Sequence, residues 1–487
     1  MKLFDTDVQQ LKYEVLREIV GLESKGELKE GLGEIPKKIV PGPKATLRCC
    51  IYCERAIVEE RVRLAMGGTK DNPNVVEVMS IACDQCPTAR MYVTEACRGC
   101  IAHRCQAACP VGAISIQDHK SVIDRQKCRK CGLCMKACPY HAITVQERPC
   151  ILACKAKAIS VDESSGKAKI DYGKCTSCGM CVRQCPFGAI VDKSYLLDAV
   201  RMLRRSSTDK EFNVYALAAP AIASQFSNAK LGQVVAGLKK AGFRDVVEVA
   251  LGADLVADRE AKELAEKGFL TSSCCPAFVQ YVRSAFPKLA DHISGNASPM
   301  IETAKWVKRK DKTAKVVFIG PCIAKKAEYR KKEFEGIVDC VITFEEMQAL
   351  LDGLGIKPEE LPAEDLDGAS YYGRIFAEHG GLTEAVRHSL AKDEIDFKVV
   401  PEMCDGLEEC RSALLKASAG KLQANFIEGM ACPGGCIGGS GCISSNHAAK
   451  NKMNLEAYAK KAPGAAPDSD FRTICVPGLK SPVCKKP

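Results

Sequence analysis

The chain has 487 residues, 46% of them hydrophobic, enough for two to four domains with a real apolar core. Its 30 cysteines are too many for an ordinary enzyme, and their regular runs in so long a chain argue against a secreted disulfide scaffold. The net charge of +10, from 70 Lys and Arg against 60 Asp and Glu, does not require nucleic acid, because thiolate-bound clusters are anionic and would offset it.

The opening MKLFDTDVQQLKYEVL carries charges where a secretory signal would be apolar, so a cytoplasmic location is expected. No stretch approaches ~18 consecutive apolar residues, so no membrane span is expected. Val8, Leu11, Val15 and Ile19 predict a helix over 7–20. The Gly-, Pro- and Lys-rich GELKEGLGEIPKKIVPGPK reads as linker. Residues 1–78 are thus read as a helical segment and linker carrying Cys49, Cys50 and Cys53.

Residues 79–198 are dense in cysteine. Cys128, Cys131, Cys134 and Cys138 read C-x-x-C-x-x-C-x-x-x-C-P, and Cys175, Cys178, Cys181 and Cys185 repeat it. Cys97, Cys100, Cys105 and Cys109 give a variant with one longer gap. Three thiolates on one tight loop hold three corners of a 4Fe-4S cubane, and the fourth cysteine turns to the neighbouring cluster. The echoes CPVGAI, CPYHAI, CKAKAI and CPFGAI mark stacked ferredoxin half-modules. Crossing the fourth ligands predicts one cubane on Cys97, Cys100, Cys105 and Cys138, and a second on Cys128, Cys131, Cys134 and Cys109. A third takes Cys175, Cys178, Cys181 and Cys154. Cys150 and Cys185 then need two partners, and Cys83 and Cys86 offer them. A rival grouping sets Cys50 and Cys53 with Cys83 and Cys86 as a separate four-thiolate site, which zinc would also suit. The region resembles the four-cluster ferredoxin-like subunits of anaerobic oxidoreductases.

From residue 199 to 460 the texture changes. NVYALAAP, DVVEVALG, KVVFIGPC, DCVITF, DFKVVP and NFIEGMACP read as strands alternating with helices, hence a parallel α/β sheet. Several runs end in cysteine or glycine, and sites in such sheets lie at strand carboxyl ends. Three motifs stand there: Ser272-Ser273-Cys274-Cys275-Pro276, Pro321-Cys322-Ile323-Ala324-Lys325-Lys326, and Glu428-Gly429-Met430-Ala431-Cys432-Pro433-Gly434-Gly435-Cys436. They supply five cysteines and a lysine. Four thiolates suffice for another cubane, and the Gly pairs would let backbone approach a bulky inorganic group. The fifth cysteine is then available for proton chemistry. Residues 461–487 read as a loosely held tail, and Cys340, Cys404, Cys410, Cys442, Cys475 and Cys484 as small hydrophobes or free thiols.

In these motifs, in order over ~210–445, the sequence resembles the iron-iron hydrogenases. The resemblance implies two lobes of mainly parallel sheet flanked by helices, preceded by ferredoxin-like α+β modules. It implies an H-cluster: a cubane on Cys275, Cys322, Cys432 and Cys436, bridged by Cys436 to a diiron subcluster carrying CO, cyanide and azadithiolate. Lys325 would hydrogen-bond a cyanide, and Met430 would pack against the two irons. Protons would pass through Cys274, Glu260, Ser294 and Glu263. Implied partners are H2 and protons, a ferredoxin or similar carrier, and dedicated maturation proteins. Gly320 replaces a frequent Met, Ser272 a usual Thr, and Phe278 a common Trp. The competing expectations are an H2 or redox sensor, and a non-catalytic electron-transfer or cluster-assembly protein.

Overall fold

The computed structural model describes residues 3–48, 50–69, 72–84, 86, 90–226, 228–366 and 368–462. Cys49, Cys475 and Cys484 lie outside the described residues. No helix of the described residues is long and apolar enough to cross a membrane.

The first helix, Asp7–Lys25, is capped by Thr6, whose side chain accepts from the Gln9 amide, and ends at Gly26 in the left-handed region. Val15, Leu16, Ile19 and Val20 lie on its buried face and join the core of the four-stranded lobe. The segment expected to be a linker is instead helical at Leu28–Gly31, Leu32–Glu34 and Ile35–Ile39. Leu28, Leu32, Ile35 and Ile39 recur at helical spacing beneath its Gly- and Lys-rich composition, and Leu28 and Ile35 are buried. A further helix, Ile51–Ala65, follows, with Cys50 as its N-cap.

Eight short strands build the cysteine-dense region. They are β1 (Val76–Val78), β2 (Arg90–Val93), β3 (Ile114–Gln117), β4 (Lys120–Ile123), β5 (Ile143–Gln146), β6 (Ile159–Val161), β7 (Ala168–Ile170) and β8 (Ile190–Asp192). Their antiparallel pairing is β1 with β8, β2 with β5, β3 with β4 and β6 with β7. The order is therefore nested. β2 to β5 form one complete ferredoxin-like module, and it interrupts a second module whose first strand is β1 and whose last is β8. The helix Arg104–Ala107 of the inner module corresponds to Pro149–Ala153 of the outer, and Leu133–Ala137 to Met180–Gln184. Through β1, the outer module begins upstream of the boundary expected at residue 79.

The remainder holds two parallel sheets. Strands β9 (Val214–Ala218), β10 (Asp245–Glu248), β11 (Leu270–Thr271), β12 (Lys315–Gly320), β13 (Cys340–Thr343), β14 (Pro401–Asp405) and β15 (Phe426–Met430) are ordered β10-β9-β12-β13 and β11-β15-β14. Apart from β14, whose only buried residue is Cys404, their residues are almost all buried, as expected where helices cover both faces. The run DFKVVP, expected as a strand, contributes only its last residue. Pairing with β15 starts at Pro401↔Phe426, and Val400 just before it is 39% exposed.

Candidate active site and cluster sites

Three parallel strands deliver the candidate site. β11 ends into Ser272–Cys275, β12 into Pro321-Cys322, and β15 into Ala431–Cys436. Cys275 and Cys322 are the N-caps of the helices Pro276–Ala285 and Ile323–Glu328. Gly429 N–H donates to Ser272 Oγ at 3.0 Å and ties β11 to β15. Cys274, Cys275, Cys322, Lys325, Met430 and Cys436 line one cavity. Its other lining is largely apolar, including Pro220, Phe318 and Phe376.

The four thiols of the cubane assignment stand within electrostatic reach of one another. Burial, then Cys275, pushes Cys322 up to about 12; burial, then Cys275, does the same to Cys436. Cys432 is raised by burial, then by Cys322, Cys275 and Cys178. Burial opposes ionisation at Cys322, Cys432 and Cys436, and four thiols gathered this way are a donor set suited to a cationic metal core, which would hold them as thiolates. Among the described residues no three His, Cys, Asp or Glu side chains close around a single ion.

Lys325 Nζ donates to Glu328 Oε2 at 2.8 Å and to the Cys274 carbonyl at 3.2 Å. Ser298 Oγ donates to the same Glu328 oxygen at 3.0 Å. Burial alone would lower Lys325, but Glu328 and Cys322 outweigh it and keep the ammonium charged. Glu428, fully buried, accepts from Gly380 N at 2.8 Å and from Thr383 N and Oγ1 at 2.9 and 2.6 Å. It thereby anchors the loop that brings Phe376 and Ala377 over the cavity.

Cys274 is buried, and its thiol is raised well above the ordinary range by burial, then Glu260. Glu260 is wholly buried and accepts from Ser273 N and Oγ at 2.9 and 2.7 Å, both on Oε1. Its Oε2 has no hydrogen-bond partner. Burial raises Glu260 to about 7, against Ser273 and Ser294. Ser294 Oγ in turn donates to Glu263 Oε2 at 2.8 Å. Burial pushes Glu263 up, but Lys267, the Gly295 N–H and Ser294 outweigh it and hold the carboxylate below its usual range. Glu260 and Glu263 sit one helical turn apart on Ala250–Lys267.

Packing adds detail at several of these positions. At Gly435 (φ +83°) an added Cβ would lie 2.7 Å from His379 N, so its freedom admits the neighbouring loop. At Gly320 a Cβ would meet the Phe318 ring at 2.5 Å. Phe318 itself lines the cavity, so the missing Met is matched by an aromatic ring. Cys404 and Cys410 pack with Cys275 and Cys322 in one buried apolar cluster. Cys340 donates to the Tyr195 carbonyl and Cys442 to that of Ile437.

In the nested modules one contact recurs four times. The amides of Ala113, Ala142, Ala158 and Ala189 donate to Cys109, Cys138, Cys154 and Cys185 Sγ at 3.2, 3.4, 3.2 and 3.2 Å. Cys154 thus holds the position of a fourth ligand although Lys155 replaces the usual Pro. A second contact recurs twice: Ser121 N to Cys97 Sγ at 3.5 Å and Ala168 N to Cys83 Sγ at 3.3 Å. Cys83 is therefore the outer module's counterpart of Cys97. Cys150 is raised to about 11 by burial, then Cys185, Cys86 and Cys83. Cys154, Cys175, Cys178 and Cys181 line one pocket. Cys134 feels Cys109 and Cys128, and Ser121 touches both Cys97 and Cys105. Cys50 is exposed, whereas Cys53 packs beside Cys83, Cys150 and Cys185.

Comparisons with known proteins follow this division. Residues 212–440 match the family "Iron only hydrogenase large subunit, C-terminal domain", and 96–142 and 120–186 match 4Fe-4S dicluster domains. Over residues 212–440 the chain is therefore similar to the C-terminal domain of the iron-only hydrogenase large subunit, with matches to 4Fe-4S dicluster domains ahead of it. It is 32% identical to the NADP-reducing hydrogenase subunit HndD of Solidesulfovibrio fructosivorans, over 43% of this chain and 45% of that protein. It is 30% identical to the periplasmic [Fe] hydrogenase large subunit of Nitratidesulfovibrio vulgaris, over 43% and 62%. The chain thus spans about half the length of the curated relatives it matches. A shorter match, 40% over 18% of this chain and 19% of the other, is to the cytosolic Fe-S cluster assembly factor NAR1 of Kluyveromyces lactis. Among solved structures, the apo FeFe-hydrogenase HydA1 of Chlamydomonas reinhardtii aligns at 19% identity and TM-score 0.43, over 53% of this chain and 87% of that one.

Proposed function

We propose that the protein is an iron-iron hydrogenase that interconverts protons and H2 at an H-cluster. The observation that carries this reading is the convergence on one cavity of Cys275, Cys322 and Cys436 with a non-ligand thiol, Cys274, backed by Glu260. When bound, the H-cluster would supply the redox chemistry of H2. Cys275, Cys322, Cys432 and Cys436 would hold its cubane, Lys325 would offer a charged donor to an anionic ligand, and Met430 would seal the apolar wall. Cys274 Sγ would give and take protons at the cavity. Glu260 Oε2, free of other bonds, would pass them to Ser294 Oγ, and Glu263 would exchange them with solvent.

Four cubanes in front would relay electrons, on the crossed sets deduced from the spacing. The order follows from contacts: Cys432 feels Cys178, and Cys181 feels Cys150. Electrons would run from the inner module through the Cys83, Cys86, Cys150 and Cys185 site to the Cys154, Cys175, Cys178 and Cys181 site. The external carrier would be ferredoxin or a similar protein, the setting cytoplasmic, and loading would need dedicated maturation proteins. Infrared spectroscopy on the anaerobically matured protein, with an H2 assay, tests the reading: CO and cyanide bands with turnover are expected. Cubanes without those bands would favour the second reading, a cluster-assembly or electron-transfer protein, for which the NAR1 similarity speaks. A full set of bands with near-background turnover would favour a sensor.

A further inference from the structure

Arg61 is a charged side chain buried where no protein charge answers it. It lies on the helix Ile51–Ala65 and is 5% exposed. Its Nη2 donates to the Gly188 carbonyl at 2.8 Å, and its Nε has no hydrogen-bond partner. Among the described residues no carboxylate pairs with it; the groups that act on it electrostatically are the Cys185 sulfur and a second cation, Arg48. An uncompensated buried charge is costly, so such an arginine implies an anion beside it.

The four equivalent turns of the nested modules make the placement specific. Gly112, His141, Lys157 and Gly188 each follow a fourth-ligand cysteine by three residues, all with φ between 49° and 59°. His141 and Lys157 carry side chains there, and a Cβ at Gly112 would touch nothing. At Gly188 a Cβ would collide with Arg61 Nη2. Gly188 therefore admits a guanidinium against the Cys185 loop. A second buried arginine, Arg148, brings Nη1 to 3.9 Å from Cys83 Sγ.

We infer that Arg61 is the counter-cation of the cluster held by Cys83, Cys86, Cys150 and Cys185, and that it makes this cluster the first relay station to be reduced. The inference rests on the proposal that these four thiolates carry a cubane. Reduction adds one electron to an already anionic cluster, and a fixed positive charge in a poorly hydrated place stabilises the added charge. The station thus holds an electron between the inner module and the cluster next to Cys432. Arg61 touches no substrate; it acts through the cluster's potential.

The test is a redox titration of the matured full chain, followed by electron paramagnetic resonance, with iron analysis alongside. Arg61→Met should shift the midpoint of one cluster to more negative potential, with at least a tenfold change in its oxidised-to-reduced ratio at fixed potential, or about 59 mV for one electron. Arg61→Lys should leave the midpoint near its original value. Val8 reaches the same spot from the first helix, since its Cγ1 lies 2.6 Å from the Gly188 Cβ position. Val8→Glu should therefore reproduce the negative shift with Arg61 in place. If Arg61→Met alone sheds about four irons while Arg61→Lys keeps them, the counter-charge role stands, read as assembly. An unmoved midpoint in Val8→Glu with full iron overturns the inference. Iron near 18 per chain in the unmutated protein, four short of the roughly 22 that four relay cubanes and a six-iron H-cluster would hold, instead overturns the fourth cubane itself.

Discussion

The two ferredoxin-like modules share one strand plan but are built on different supports. The inner module gathers five buried core residues: Met91, Cys105, Ile114, Cys134 and Ile143. Ile101, beside its cluster loop, is 96% exposed. The outer module is interrupted in sequence but packs on the helix Ile51–Ala65 and reaches Ile323 of the candidate site. Its last strand supplies Asp192, buried between Lys12 and Lys326 at 2.6 and 2.8 Å. Where apolar packing is scarce, metal must hold the fold; where packing is shared with a large neighbour, chain continuity is dispensable.

The largest effect should come from separating them. Arg148 Nη2 lies 3.4 Å from the Cys86 carbonyl, so both ends of the insertion meet at one place. Replacing residues 90–147 with a short loop should remove about eight irons, two cubanes. The other relay clusters and any H-cluster infrared bands should persist. Loss of those bands would mean the modules are one cooperative unit. Iron chelation should make the inner module the first segment cut by protease, before the parallel lobes.

Next in size is Cys274→Ala, which should lower turnover ~10²–10⁴-fold, the range of a general acid–base group, with every cluster retained. Cys275→Ala should instead lose the H-cluster. Like behaviour in the two variants would dissolve the distinction between ligand and proton carrier. A smaller loss, within ~10²-fold, is expected for Glu260→Gln, measured as turnover against pH. The amide keeps the Ser273 contacts but carries no proton onward.

Legibility differed between the regions for physical reasons. Cysteine spacing is a local property, since a loop must fold around one cubane, so the cysteine runs were readable in the linear sequence. The nesting was not, because β1 and β8 find each other across more than a hundred residues. The linker reading of 26–44 failed because composition outvoted the period of Leu28, Leu32, Ile35 and Ile39. The strand-end cysteines of the lobes were visible as motifs, and the α/β alternation with them. Phe318 in the cavity wall had no local signal, since its place depends on Gly320 lacking a side chain. Arg61 had none either: nothing in ERVRLA separates a buried arginine from a solvated one.

The smallest expected effect concerns Glu263, and it is most telling beside Glu260. The two carboxylates lie one turn apart on one helix yet should leave opposite pH signatures. Glu260 is raised to about 7. The folded state therefore favours its protonated form, and that contribution is full below the unfolded value near ~4.5 and lost as pH rises through about 7. Glu260→Gln should flatten this loss, gaining stability above pH ~7 on the order of 3 kcal/mol at most, read from Tm against pH. Glu263 is lowered, so its contribution is present above the unfolded value and fades as pH falls through the folded one. Its Lys267 partner is 44% exposed, so Glu263→Gln should cost under ~1 kcal/mol, visible only toward neutral and higher pH. Turnover should fall less than tenfold, roughly, because water can replace an outer carboxylate but not a buried one. A Glu263→Gln loss equal to that of Glu260→Gln would show that the outer carboxylate is as indispensable as the inner one.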